Sequence, residues 1–483
     1  MLLGYFFFAY KRLTVLSRLW LVGGSLFFYG YWDVYYIPLL LISVFVNFYI
    51  GFLIARDHSK LDSRLNVFLR YVSAKTLLVL GIAFNISLLV YFKYTDFLLD
   101  NFNGILGTNV PLPHIILPLG ISFFTFTQIA FLVDTYKGIA KEYNLINYIL
   151  FVTYFPHLLA GPILHHKEMM PQFASLWNFA IRWRNLAIGI SLFSIGLFKK
   201  VMIADHLAVW ATKGFDTAVS LSFFEAWATS LSYTLQLYFD FSGYTDMAIG
   251  MSLMFNIRLP INFNSPYKAV SIQDFWRRWH ITLSRFLRDY IYIPLGGNKT
   301  SQLRIYFNLF TVFFIGGLWH GASWMFVIWG TLHGIAIVVH RAWQNFGLTM
   351  NRYMAWFLTF NFVNIAWIFF RAKDIDSVFK VLGGMFGFGG IILPSFLENK
   401  LSNLLIPYNI KFGNWLGEVG MLGIKDVLIL LICLVIVIGF KNSMQSVVHL
   451  KSKMWVFPLW MGILLSIGLM SLKNVSEFIY FNF

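Results

Sequence analysis

The chain has 483 residues, of which 58% are hydrophobic, 19% aromatic and only 12% charged, with a mean hydropathy of +0.68. Soluble domains carry roughly 25% charged residues, so this composition excludes a soluble enzyme, a secreted disulfide scaffold and a disordered chain, and leaves an integral membrane protein. The net charge of +16 then belongs mainly to cytoplasmic loops, where it attracts lipid headgroups or a phosphorylated ligand. No basic domain lies outside the apolar segments, so nucleic acid is not an expected partner.

Residues 1–10 are apolar and precede Lys11 and Arg12, the reverse of a signal peptide's order, and read as a short first membrane segment. Apolar runs follow at 19–31, 35–55, 76–92, 115–133, 148–164, 186–198, 223–241, 244–255, 305–318, 322–339, 354–370, 427–440 and 455–472. Most approach the ~20 residues that span a bilayer, which predicts an all-α protein with about 11–13 membrane helices. Residues 117–120, 156–162 and the pair Gly316-Gly317 read as breaks, and irregular backbone at membrane depth must be buried by protein or line a cavity. Re-entrant helices around an internal chamber are therefore expected. No internal repeat is visible. Cys433, the single cysteine, lies inside an apolar run and reads as a small packing residue; a disulfide framework and a Cys-ligated zinc site are excluded.

Two loops carry an orientation signal. Residues 56–75 have a net charge of +3 and residues 258–304 a net charge of +6, and both read as cytoplasmic. Residues 93–114 read as exterior.

The second basic loop contains Phe275-Trp276-Arg277-Arg278-Trp279-His280-Ile281-Thr282-Leu283-Ser284-Arg285-Phe286-Leu287-Arg288-Asp289-Tyr290. On one helix, Trp276, Trp279, Leu283, Phe286, Leu287 and Tyr290 form an apolar stripe, with Arg277, Arg278, Arg285 and Arg288 largely off it. One reading is an interfacial anchor; the other is that the guanidinium groups hold phosphates. His280 sits at the border of the stripe and faces either headgroups or a pocket.

His320 lies in Gly316-Gly317-Leu318-Trp319-His320-Gly321, where an imidazole is costly unless it faces a bundle interior or a wet cavity. It reads either as an interhelical packing histidine or as a general base, since an ordinary histidine pKa of ~6.5 suits that work. His333 is a supporting candidate with a stronger packing reading. Asp240 and Asp246 lie between apolar runs; the structural reading leads, in which they pin an interrupted helix or pair with an arginine of the later loop. His165-His166 reads as a solvated loop rather than a metal site, because adjacent helical side chains point about 100° apart. Lys199-Lys200 reads as a pair snorkelling to the lipid interface.

The ordered set Asp240-Phe241-Ser242-Gly243-Tyr244-Thr245-Asp246, Phe275-Trp276-Arg277-Arg278-Trp279-His280, Leu287-Arg288-Asp289-Tyr290, Pro294-Leu295-Gly296-Gly297 and Gly317-Leu318-Trp319-His320-Gly321 resembles the membrane-bound O-acyltransferase family. Within it the chain is similar to the bacterial branch that includes the membrane subunits of alginate and peptidoglycan O-acetylation, and Ala160-Gly161-Pro162 fits that branch. The resemblance spans about residues 15–375 of a single membrane domain, 1–483; residues 376–483, read as C-terminal membrane helices, carry no specific motif.

The resemblance implies a helical fold around a funnel or tunnel in the bacterial cytoplasmic (inner) membrane. Acetyl-CoA is the implied donor, loaded from the cytoplasm without a metal. His320 is the implied catalytic histidine, acting as general base, and His280 the second polar position, orienting or polarising the thioester; the four arginines are the implied phosphate ligands. The acceptor is a cell-envelope polysaccharide, peptidoglycan or an alginate-like exopolysaccharide, reached through an exported SGNH-like partner acetyltransferase with a Ser-His-Asp site. The alternatives are a lipid or protein acyltransferase using a longer acyl-CoA, and a transporter or non-catalytic scaffold.

Overall fold

The computed structural model describes residues 1–55, 72–142, 144–159, 161–448 and 456–472. Most of the basic loop 56–75, namely residues 56–71, lies outside the described residues, as does Ala160 of the Ala160-Gly161-Pro162 motif. Among the described residues the chain is all-α apart from one parallel pair of three-residue strands, β1 (Ile392–Pro394) and β2 (Lys411–Gly413). Five helical runs there are long and apolar enough to cross a bilayer: Val34–Ala55, Ala74–Leu106, Trp183–Thr217, Trp324–Asn345 and Arg352–Arg371. This is an all-α, multi-pass membrane protein. Its backbone divides into two compact units, Met1–Phe193 with Met247–Ile261 and Arg285–Ile291, and Ser194–Asp246 with Asn262–Ser284 and Tyr292–Phe483.

In the first unit the helices are α1 (Leu2–Tyr10), α2 (Thr14–Trp32), α3 (Ile37–Ala55), α4 (Ala74–Leu89), α5 (Thr95–Leu106), α6 (Ile121–Tyr136), α7 (Leu145–Thr153), α8 (His166–Ala174) and the start of α9 (Trp183–Phe198). Helix α6 is buried along nearly its whole length, polar residues included. Between α3 and α4, Asn85 Nδ2 donates to Asn47 Oδ1 at 2.6 Å, and between α6 and α3, Gln128 Nε2 donates to Ser43 Oγ at 2.9 Å. Such amide bridges tie helices together where apolar contact with lipid gives no net drive for association. The expected break before residue 121 is present: Gly120 is left-handed (φ 71°) and α6 starts after it. The described residues of the expected break, 156–159 and 161–162, are buried and non-helical, held by Tyr154, whose hydroxyl bonds to Ser252 Oγ at 3.2 Å, and by the His157 ring on the Phe151 carbonyl at 3.0 Å.

The second unit takes up the end of α9, α10 (Asp205–Thr212), most of α11 (Phe223–Met254), α12 (Ile272–Trp276) and the start of α13 (Ile281–Leu287). It continues with α14 (Gln302–His320), α15 (Trp324–Asn345), α16 (Arg352–Arg371), α17 (Ile375–Met385), α18 (Glu398–Leu405), α19 (Ile424–Gly439), α20 (Ser443–Val448) and α21 (Val456–Met470). Two expectations are corrected here. The runs 223–241 and 244–255 form one 32-residue helix, so Asp240-Phe241-Ser242-Gly243 does not interrupt it. Gly316-Gly317 does not break α14 either. A Cβ on Gly317 would lie 2.8 Å from the Gly330 Cα and 2.5 Å from the Phe326 carbonyl oxygen, so the glycine is needed for the close crossing of α14 and α15. Cys433 is buried on α19, in keeping with a packing role.

Candidate active site

His320 is the last residue of α14, and the chain turns through Gly321 and Ala322 to Ser323, whose hydroxyl caps α15 by accepting from the Met325 N–H at 3.2 Å. The Gly317–Gly330 crossing brings the α15 backbone against α14 and so places α15 side chains around the histidine. The imidazole is 3% exposed and ringed by Trp319, Trp329 and Phe370 at centroid distances of 5.0, 5.0 and 5.1 Å, with Phe326 stacked at 6.5 Å.

His280 is reached by a different route. The expected single helix over 275–290 is two short helices, α12 and α13, separated by a turn at 277–280. His280 closes that turn in the left-handed region (φ 41°), which a residue with a Cβ enters at a cost. Long-range bonds impose the turn: the Asn264 N–H donates to the Arg278 carbonyl at 2.9 Å, the Ile281 N–H to the Asn262 carbonyl at 3.0 Å, and the Thr282 N–H and hydroxyl both to Asn262 Oδ1. The ring is fully buried rather than at a headgroup boundary, edge-on to Phe241 at 4.9 Å and 6.1 Å from Trp319. Burial lowers its pKa from the ordinary histidine value to about 3. His280 is therefore a neutral imidazole at physiological pH, and both it and His320 abut Trp319.

His333, also fully buried on α15, accepts from Trp276 Nε1 through Nδ1 at 3.2 Å. That bond assigns its proton to Nε2. Its ring lies 4.8 Å from Trp329, the same indole that touches His320. Trp279 and Trp367 complete this aromatic wall, 4.9 Å apart, with Trp367 stacked on Trp329 at 5.7 Å. The structure thus brings His280, His320 and His333 into one run of alternating imidazoles and indoles within the second unit.

The arginines are dispersed. Arg277 and Arg278 belong to the second unit and Arg285 and Arg288 to the first. Arg278 pairs with Asp274 at 2.8 Å, Arg285 with Glu168 at 2.7 Å and Arg288 with its neighbour Asp289 at 2.7 Å. Arg277 is exposed and has no carboxylate partner among the described residues.

Asp240 and Asp246 are ion-paired, with lysines rather than with the later arginines. Lys200 reaches Asp240 at 2.9 Å and Asp205 at 2.8 Å; Lys199 reaches Asp246 at 2.7 Å. Lys199 and Lys200 therefore do not snorkel. The helix does not end at 198 but continues through a π-helical turn, Lys199–Ala204, that turns both ammonium groups inward. His165-His166 is corrected as well: both rings are buried, His165 bonded to the Tyr290 hydroxyl at 3.0 Å and 3.9 Å from Asp134, His166 3.6 Å from Glu142.

The residues that pattern reasoning missed are Asn262, Asn264, Phe241 as the wall of His280, and the two lysines. The lysines had a signal: two cations and two carboxylates, each stranded in apolar sequence, are expected to find one another. The asparagines had none, since their bonds join residues that periodicity cannot connect.

The profile of the membrane-bound O-acyltransferase family matches residues 2–373. The chain is 48% identical to a peptidoglycan O-acetyltransferase of Helicobacter pylori, over 100% of this chain and 94% of that protein. It is 39% identical to a probable alginate O-acetylase of Pseudomonas aeruginosa, over 80% of this chain and 73% of that one. A teichoic acid D-alanyltransferase of Bacillus subtilis is 28% identical over 53% of this chain and 69% of its own length. The buried Trp-His-Gly histidine, the ordered motifs and a match along more than two thirds of the sequence agree: the chain belongs to the membrane-bound O-acyltransferase family and is a membrane-bound O-acyltransferase.

Proposed function

We propose that the chain moves acetyl groups from cytoplasmic acetyl-CoA through the bacterial cytoplasmic membrane for O-acetylation of a cell-envelope polysaccharide. The observation that carries this reading is that the buried rings of His320 and His280 both lie against Trp319 in an aromatic enclosure. His320 takes the proton of the acceptor hydroxyl as its oxygen attacks the thioester carbonyl; the carbon–sulfur bond breaks, and the proton passes to the departing thiolate. His280, neutral because it is buried, donates to the carbonyl oxygen as charge builds there. His333 and the Asp240 and Asp246 ion pairs support the enclosure rather than touch the reacting atoms.

Arg277 is the leading ligand for the donor's phosphates, since its guanidinium is exposed; Arg278, Arg285 and Arg288 are each engaged by a carboxylate, and each binds a phosphate only by leaving it, a modest cost for surface pairs. Similarity along the whole chain to a peptidoglycan O-acetyltransferase supports peptidoglycan ahead of an alginate-like polymer. An exported partner with a Ser-His-Asp site completes the transfer.

Mass spectrometry of purified peptidoglycan and exopolysaccharide from cells with and without the chain tests this reading. Loss of O-acetyl groups from peptidoglycan alone is expected. Loss from the exopolysaccharide alone overturns the acceptor, and preferential turnover of long acyl-CoA over acetyl-CoA by membranes containing the chain overturns the donor.

A further inference from the structure

Beyond residue 373, where the family match ends, the turn between α19 and α20 is bonded to a single loop of the second unit. Lys268 Nζ donates to the Phe440 carbonyl at 2.6 Å. Asn442 Nδ2 donates to Asn264 Oδ1 at 3.1 Å and to Ser265 Oγ at 3.3 Å, and Gln445 Nε2 reaches the same Asn264 oxygen at 3.4 Å. The next residue, Ser443, donates to Asp246 Oδ2 at 2.5 Å, beside Lys199, whose ammonium lies 2.7 Å from Asp246 and 3.2 Å from the Ser443 hydroxyl.

The receiving loop, residues 262–268, is the one that shapes the turn carrying His280. Asn264 is bonded through its side chain to Asn442 and through its backbone N–H to the Arg278 carbonyl, two residues before His280. Asn262 holds the two residues after it. Ser265, like His280, is a non-glycine residue in the left-handed region, at φ 50°. Each such residue is strained and persists only where its surroundings over-determine it. One element of that over-determination comes from the C-terminal turn.

We infer that the 440–442 turn is a latch on the 262–268 loop, and that Asn442 is a positioning residue for His280. The inference rests on His280 taking part in acyl transfer. Asn442 does not touch the reacting atoms; through Asn264 it fixes where the His280 ring sits. The described C-terminal segment thereby contributes to the site although it lies outside the matched family region.

The test is a double-mutant cycle in membranes containing the full chain and its native acceptor system, read as the rate of acetyl transfer from acetyl-CoA at equal membrane abundance. Asn442→Asp removes the two donated bonds while leaving Oδ1 to accept from the Gln445 N–H, which it does at 2.9 Å. Loss of net bonding of this size is expected to slow turnover about five-fold with KM for acetyl-CoA unchanged. His280→Gln is expected to cost about 10²-fold or more, and the double variant no more than His280→Gln alone. A purely structural role would lower abundance and multiply the two losses. Wild-type turnover in Asn442→Asp, or a further five-fold loss in the double variant, overturns the latch while leaving His280 in place. Wild-type turnover in His280→Gln overturns the His280 reading and the latch with it. If Asn442→Asp is depleted from the membrane, Asn442→Ser enters the same cycle with the same expected outcomes.

Discussion

Each of the two units buries histidines, and the neighbours differ. In the first unit, His165 and His166 lie beside Asp134, Tyr290 and Glu142. In the second, the rings of His280, His320 and His333 lie against Trp319, Trp329, Phe241 and Phe370. A nearby carboxylate favours the charged form of an imidazole, whereas burial among apolar rings favours the neutral form. Burial among aromatic rings keeps His280 neutral, its pKa lowered to about 3, which suits it to donate a hydrogen bond without carrying a charge. Burial alone therefore does not separate the two groups of histidines; the carboxylates beside the first do.

The sharpest way to break this contrast is to exchange loss at one place for loss at the other. His320→Ala is expected to lower acetyl transfer by about 10²–10⁴-fold at unchanged membrane abundance. His166→Gln is expected to keep turnover within about two-fold while lowering stability by roughly 1–3 kcal/mol, because a buried ring packed against Phe131 and Phe151 is lost. Transfer rate and thermal midpoint measured on both variants separate the two roles; equal activity losses would dissolve the distinction.

A second test asks whether pairing with a carboxylate is structural in the second unit too. Lys200→Met leaves Asp240 and Asp205 buried without their ammonium, and breaking one side of a buried pair costs about 3–5 kcal/mol. Lower abundance and a lower thermal midpoint are expected, with the transfer rate per surviving molecule near wild type. Lys200→Met combined with Asp240→Asn should recover part of the stability.

Smaller again is the expected effect at the surface arginines. Arg277→Ala should raise KM for acetyl-CoA several-fold and leave kcat unchanged, as removal of one exposed phosphate contact does. Arg288→Ala, whose guanidinium is already occupied by Asp289, should do less. Donor titrations on the two variants decide which guanidinium binds.

What was legible beforehand follows the range of the forces involved. Local hydropathy reveals most of the apolar helices, and the cost of an imidazole in apolar sequence singles out His320. The arginine-rich segment shows its period but not its break, because the left-handed turn at His280 is imposed by Asn262 and Asn264, which are remote in sequence from any helical pattern. Lys199 and Lys200 are misread for a related reason: snorkelling presumes a helix end, and the π-helical turn carries the helix onward. Gly317 looks like a breaker in sequence and is a spacer in the fold, since its role is defined by Gly330 on the facing helix. The resemblance to a family supplies roles that none of these local signals carries.

The contrast between the two kinds of histidine also has a pH signature, the smallest effect of the set. His280 binds a proton in the unfolded chain below about 6.5 but in the folded protein only near 3. Between those values the unfolded state carries the extra proton, so stability falls as pH drops through this window and is fully present above it. His280→Gln abolishes that contribution. The decrease in thermal midpoint between pH 7.5 and pH 5.5 should therefore be smaller in His280→Gln than in the wild type, although the variant is nearly inactive. If the midpoint of His280→Gln falls as steeply as that of the wild type, His280 is not held neutral by its aromatic surroundings.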